Sequence, residues 1–163
     1  MGFQKQGKGI LGKRASLLVF SLLVALLLSA TPASATNLEG TWKWRDTIVA
    51  AGVANDIPPG LIQAVMAVES GGDPKALGGQ SMGLMQIMPF WFKAGEDPWD
   101  PTTNIHKGAQ ILRQCEDKAG GWHPGEDWTK AIACYNSGSI HGNVPGYVSK
   151  VRGAWIALAA QGA

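Results

Sequence analysis

The sequence predicts an all-α, or mainly α, domain over residues 36–163, and three observations carry that reading. Apolar residues recur at helical spacing in several segments, Gly and Pro clusters separate those segments, and no alternating strand pattern of useful length occurs. Residues 37–54 read as a first helix, with Leu38, Trp42, Arg45, Ile48, Val49 and Val53 along one side. Asn55-Asp56-Ile57-Pro58-Pro59 breaks it, and the paired prolines suit the opening of a second helix, where a missing N–H costs little. That helix runs from Gly60 to about Ser70 and stops at Gly71-Gly72. Residues 73–81 are a Gly-rich loop, and Gly83 to Pro89 is a compact apolar segment holding one polar residue, Gln86. Thr102 to Ala119 reads as a long helix whose inner line is Ile105, Ala109, Leu112 and Glu116. A short helix over Trp128–Tyr135, a Gly-rich loop over Asn136–Gly146 and a last helix over Tyr147–Ala160 complete the chain.

Residues 1–35 differ from the rest. Lys5, Lys8, Lys13 and Arg14 precede an apolar run from Ala15 to Ala30, and small residues end the segment as Ala33-Ser34-Ala35. That order is a secretory signal, with cleavage expected after Ala35. An uncleaved anchor is the alternative, although the run is short of the ~20 residues a spanning helix needs. The chain has 14 basic and 12 acidic residues, and loss of the four basic residues in the signal leaves 10 against 12. The mature domain then carries no basic cluster to neutralise phosphates, which argues against nucleic-acid binding. The two cysteines, Cys115 and Cys134, allow one intramolecular disulfide in an oxidising compartment, with two buried free thiols as the alternative. Their spacing and three scattered His residues do not suggest a zinc site.

Glu69 stands out. Ile62, Met66 and Glu69 fall at i, i+4 and i+7, so a carboxylate continues an apolar stripe in the last turn of the second helix. Burial and the negative end of the helix dipole both favour its neutral form. A carboxylic acid held neutral is what protonation of a glycosidic oxygen requires. A surface Glu at a frayed helix end is the competing reading of this segment taken alone.

Five motifs in order resolve the competition. They are Glu69-Ser70, Gly83-Leu84-Met85-Gln86, Asn104-Ile105-x-x-Gly108, Ala133-x-Tyr135-Asn136-x-Gly138 and Tyr147-Val148. With them the chain resembles the lytic transglycosylases whose catalytic domain has the lysozyme-like fold, over about Ile57 to Val151. The resemblance implies that Glu69 is the lone catalytic acid and base and that Gln86 and Met85 line the sugar groove. It further implies that Tyr135 and Asn136 form the opposite wall, with Tyr135 supporting the Glu carboxyl or the sugar and Tyr147 a lesser contributor. Read without the resemblance, Met85 is equally a core residue, Tyr135 a packed helix residue and Asn136 a cap. Family members often carry a Ser in the loop after the Glu. The matching stretch here is Leu77-Gly78-Gly79-Gln80, with Ser81 placed later.

The expected substrate is the peptidoglycan glycan strand, cleaved between N-acetylmuramic acid and N-acetylglucosamine to leave a 1,6-anhydro end. No cofactor or metal is expected, a monomer is expected, and the site of action is the periplasm or cell envelope. The short length fits enzymes that open the wall for a secretion or conjugation apparatus. A hydrolytic lysozyme of the same fold and a non-catalytic wall-binding protein are the competing readings. Asp73, Asp97 and Asp100 read as turn and capping residues and leave no second catalytic carboxylate in view.

Overall fold

The computed structural model describes residues 1–2, 37–121 and 127–162. The expected export signal and its cleavage site lie outside the described residues. The chain divides into two units, Met1–Ala35 and Thr36–Ala163, and every described helix belongs to the second. No described helix is long and apolar enough to cross a membrane.

The second unit is mainly α, as the periodicity predicts. A 3-10 helix (Glu39–Trp44) leads into α1 (Arg45–Asn55), followed by α2 (Pro59–Glu69), α3 (Pro101–Ala119), α4 (Thr129–Ser137) and α5 (Pro145–Ala160). Between α2 and α3 the expected loop contains a small antiparallel hairpin, β1 (Leu77–Gly78) and β2 (Ser81–Met82). Two-residue strands are too short to leave an alternation in the sequence.

The α2 helix is the centre of the core. Every residue from Leu61 to Ala67 is buried, so this helix is enclosed around its whole circumference. Its one buried polar side chain is satisfied, because Gln63 Nε2 donates to Thr41 Oγ1 at 2.9 Å. The helices α5 and α1 pack on it, and the apolar segment after the hairpin adds Leu84, Met85 and Ile87 to the same core. The predicted inner line of α3 is buried throughout, at Ile105, Ala109, Leu112 and Glu116.

The first helix differs from expectation on two counts. Its opening turns are 3-10, and Val49 and Val53 face solvent, Val53 being 79% exposed. Ile48 of the predicted line is buried, and Ala51 and Gly52 complete the buried side in place of the valines. Closeness of approach decides this. A Cβ at position 52 would stand 2.7 Å from the Ile57 carbonyl oxygen, so only the small side of α1 can dock where the chain turns into α2.

Two devices tie α3 to the rest. Cys115 on α3 and Cys134 on α4 are disulfide-bonded, as expected. With a sequence separation of 19 residues, loop-closure entropy assigns this link about 3 kcal/mol. The second device is Asn104, fully buried one turn before Gly108. Its Oδ1 accepts from the Met85 amide at 2.8 Å, and its Nδ2 donates to the Met82 and Pro98 carbonyls at 2.9 Å each. Gly108 then leaves room for the Met85 side chain, whose Cε would lie 2.7 Å from a Cβ there. The Asn-Ile-x-x-Gly spacing is thereby explained, since i and i+4 share a helix face. Gly108→Val is expected to destabilise the protein by about 1–3 kcal/mol through overpacking. Gly153→Ala on α5 meets open space and should stabilise by about 0.5–1 kcal/mol. Urea midpoints of the two variants check both signs.

Candidate active site

The α2 helix emerges from the core at Glu69, and the next residue fastens its end. Ser70 Oγ donates to the Leu84 carbonyl at 2.7 Å and accepts from the Gly72 amide at 3.1 Å. The segment after the hairpin is thus held against the end of α2. Sequence reasoning passed over this role of Ser70, although the Glu-Ser pair was visible.

The opposite wall comes from α4 and α5. Pro145 opens α5 two residues earlier than predicted, which sets Tyr147 in its first turn. Tyr147 Oη donates to Glu69 Oε1 at 2.6 Å, across 78 residues of sequence. Tyr135 Oη donates to the Met85 carbonyl at 2.7 Å. Tyr147, expected as the lesser contributor, therefore holds the carboxyl, and Tyr135 holds the backbone of the facing segment. Asn136 is exposed, and it lies within α4 rather than capping it, because the left-handed Gly138 ends that helix.

Residues 82–87 form a tight turn closed by Met82 and Ile87, which exchange backbone hydrogen bonds at 3.0 Å. Met85 is fully buried against Gly108, so the expectation that its side chain lines the groove is corrected. The clamp from Asn104 and Tyr135 on its own backbone turns this side chain inward. Gln86 adopts a positive φ of 46°. Its Nε2 donates to the Ala76 and Gly83 carbonyls at 3.0 and 2.9 Å, the partners that a polar residue in this segment requires. A Cβ at Gly78 would abut Gln86 Oε1, the flexible end of that side chain, and Ser81 of the same loop reaches the cavity wall.

These elements enclose a cavity of about 210 Å³ whose wall includes Glu69, Ser81, Gln86, Trp91, Tyr135 and Asn136. Met88, Trp91 and Ile111 were not singled out from the sequence, because only the fold brings them to Glu69. Among the described residues, Glu69 is the one carboxylate on this wall. Asp73 and Asp97 accept from the amides of Lys75 and Trp99, and Asp100 caps α3 by accepting from the Thr103 amide. Among the described residues, no group of three or more His, Cys, Asp or Glu is placed to hold a metal ion. A larger open cavity, about 640 Å³, lies along α4 and α5, but its charged lining residue, Arg152, is already paired with Asp127. It lacks the titratable chemistry that marks the smaller cavity.

Burial raises the Glu69 pKa above its ordinary 4.5, and the hydrogen bond from Tyr147 offsets part of that rise. Burial, reinforced by the Glu69 charge, pushes both tyrosine hydroxyls far above their ordinary value, so both remain donors. Because the folded protein holds the Glu69 proton more tightly than the unfolded chain, the associated stability is full below pH 4.5. It is lost as pH rises through the folded value. Glu69→Gln should therefore gain stability relative to the parent protein as pH rises from acid to neutral. Denaturation midpoints over a pH series check this, and a gap independent of pH contradicts it.

The transglycosylase SLT domain family model matches residues 46–152. The chain is 35% identical over 109 residues to the transglycosylase of Enterobacteria phage PRD1, covering 65% of this chain and 39% of that protein. Its fold is similar to that of the lytic transglycosylase Slt from Pseudomonas aeruginosa, solved as an inactive mutant. The TM-score there is 0.54 and the identity 22%, over 83% of this chain and 23% of that one. The chain thus spans well under half the length of either relative, while the family match takes in Glu69, the 82–87 turn, Asn104, Tyr135 and Tyr147. With the helical architecture and the carboxyl site described above, this match places the chain in the transglycosylase SLT domain family, with the lysozyme-like fold.

Proposed function

We propose that the protein is a lytic transglycosylase that cleaves the glycosidic bond between N-acetylmuramic acid and N-acetylglucosamine in peptidoglycan, with Glu69 acting as acid and then as base. The observation that carries this reading is the hydrogen-bonded, desolvated carboxyl of Glu69, alone of its kind on the cavity wall among the described residues. Membership of the SLT domain family supports it.

A lone carboxyl suits a reaction in which the substrate supplies the remaining groups. Tyr147 occupies Oε1 as a donor, so the acidic proton belongs on Oε2. Glu69 gives that proton to the glycosidic oxygen as the C1–O bond breaks, and N-acetylglucosamine leaves as the alcohol. The 2-acetamido group of the muramic acid stabilises the positive charge at C1. Glu69, now a carboxylate, takes the proton of the C6 hydroxyl as that oxygen bonds to C1. The product is a 1,6-anhydro sugar, Glu69 is again protonated, and no water is consumed. In the carboxylate stage the Tyr147 hydrogen bond becomes charge-assisted, which steadies the base form without abolishing the acid form. Ser81, Gln86 and Asn136 are the polar groups available to the sugar. This substrate lies outside the cytoplasm, which agrees with reading residues 1–35 as an export signal. Local opening of the wall for a secretion or conjugation apparatus is the process we assign to it.

The test is fragment mass analysis after incubation with purified peptidoglycan. Terminal muramic residues should be lighter by one water than reducing ends, and Glu69→Gln should lower turnover by about 10²–10⁴-fold while remaining folded. Hydrated reducing ends would replace this reading with a hydrolytic lysozyme. Undiminished wall cleavage by Glu69→Gln would remove Glu69 from the chemistry.

A further inference from the structure

The chain between the 82–87 turn and α3 carries one wall residue of the Glu69 cavity, Trp91, on a short 3-10 turn (Pro89–Trp91). Among the described residues, the backbone hydrogen bonds of this stretch stay within it. Trp91 donates to Met88, Phe92 to Pro89 and Glu96 to Lys93. Its backbone therefore does not fasten it to a helix, and side chains of α3 make the attachment. Asn104 holds the far end through the Pro98 carbonyl. Lys107 holds the middle: its Nζ meets both carboxylate oxygens of Glu96, at 3.1 and 2.9 Å, and stands 6.0 Å from the centre of the Phe92 ring.

Lys107 is 7% exposed. An ammonium group so far from water requires a charged partner, and residues 93–96 are folded to supply it. They form a turn closed by the Glu96 amide on the Lys93 carbonyl at 3.1 Å, with Gly95 at a positive φ of 87° in its third position. The Glu96 carboxylate also accepts from the Lys93 amide at 2.8 Å. That bond, with the Lys107 ammonium, holds the Glu96 carboxyl below its usual range. On α3, Lys107 and Ile111 are i and i+4 and share a face. Ile111 lines the Glu69 cavity with Trp91. The anchor thus sits one helical turn from the wall, and through Phe92 it reaches the residue next to Trp91.

We propose that the Lys107–Glu96 pair is a positioning device for the active site, drawing residues 90–96 onto α3 and so setting Trp91 opposite Glu69 for the glycan. Lys107 is not itself on the cavity wall and acts through Trp91. The inference rests on the proposed function for the identity of the ligand.

The test separates placement of Trp91 from stability. Exchange of a buried ion pair for groups of similar volume is often neutral for stability, so the double variant Lys107→Met/Glu96→Gln is compared with the parent protein. In protein labelled with 5-fluorotryptophan, the Trp91 fluorine resonance is identified by its loss in Trp91→Phe. In the double variant this resonance should shift and broaden. With soluble peptidoglycan oligomers KM should rise about three- to tenfold, the scale of one aromatic contact. The kcat should stay within about twofold, as for a group that acts on binding. Lys107→Met alone, which leaves the Glu96 carboxylate where water reaches it, gives the same readouts should the double variant fail to fold. An unmoved Trp91 resonance, an unchanged KM, or a loss confined to kcat would each overturn the proposal. Absence of both cleavage and oligomer binding in the parent protein would instead overturn the proposed function, while the fluorine resonance still reports whether the pair places Trp91.

Discussion

Everything at the site depends on burying a helix on all sides and then ending it in a carboxyl. From Leu61 to Ala67 the α2 helix meets protein in every direction, and Glu69 stands where that enclosure gives way to a groove. The burial that stabilises the helix also withdraws water from its last carboxyl. A charged form is therefore penalised there by the same packing that forms the core. The Tyr147 hydrogen bond offsets part of that penalty.

Three hydrogen bonds spread across the chain hold this arrangement. Ser70 ties the end of α2 to Leu84, Tyr135 ties α4 to Met85, and Tyr147 ties α5 to Glu69. Two of the three end on the backbone of residues 84–85, and Asn104 adds a third hold from α3 through the Met85 amide. The 82–87 turn is thus positioned by three helices at once. Gln86, in its left-handed conformation, is presented by a turn with little freedom to shift.

Much of this was legible in the sequence where a period or a cap determines the outcome. The inner line of α3 and the extent of α2 follow from helical spacing, Glu69 is singled out by that spacing together with the ordered motifs, and the disulfide agrees with the cysteine count and the expected oxidising compartment. What escaped prediction involves groups that meet only through tertiary packing. Periodicity places Tyr135 and Tyr147 on helices, but which hydroxyl reaches Glu69 depends on how α4 and α5 are set by loops with no period. Met85 turns inward because Gly108, on another helix, leaves it room. The solvent-facing side of α1 was misjudged because its valines look like core. Its docking surface is made of small residues, Ala51 and Gly52, which carry little hydrophobic signal.

The central claim is that packing holds the Glu69 carboxyl in reserve as an acid, with Tyr147 moderating the effect. Titration of the Glu69 carboxyl carbon by NMR in the intact protein tests it directly. The account predicts a midpoint above 4.5, and a still higher midpoint in Tyr147→Phe, where the offsetting hydrogen bond is gone. A midpoint at or below 4.5, or a downward shift in Tyr147→Phe, would contradict it.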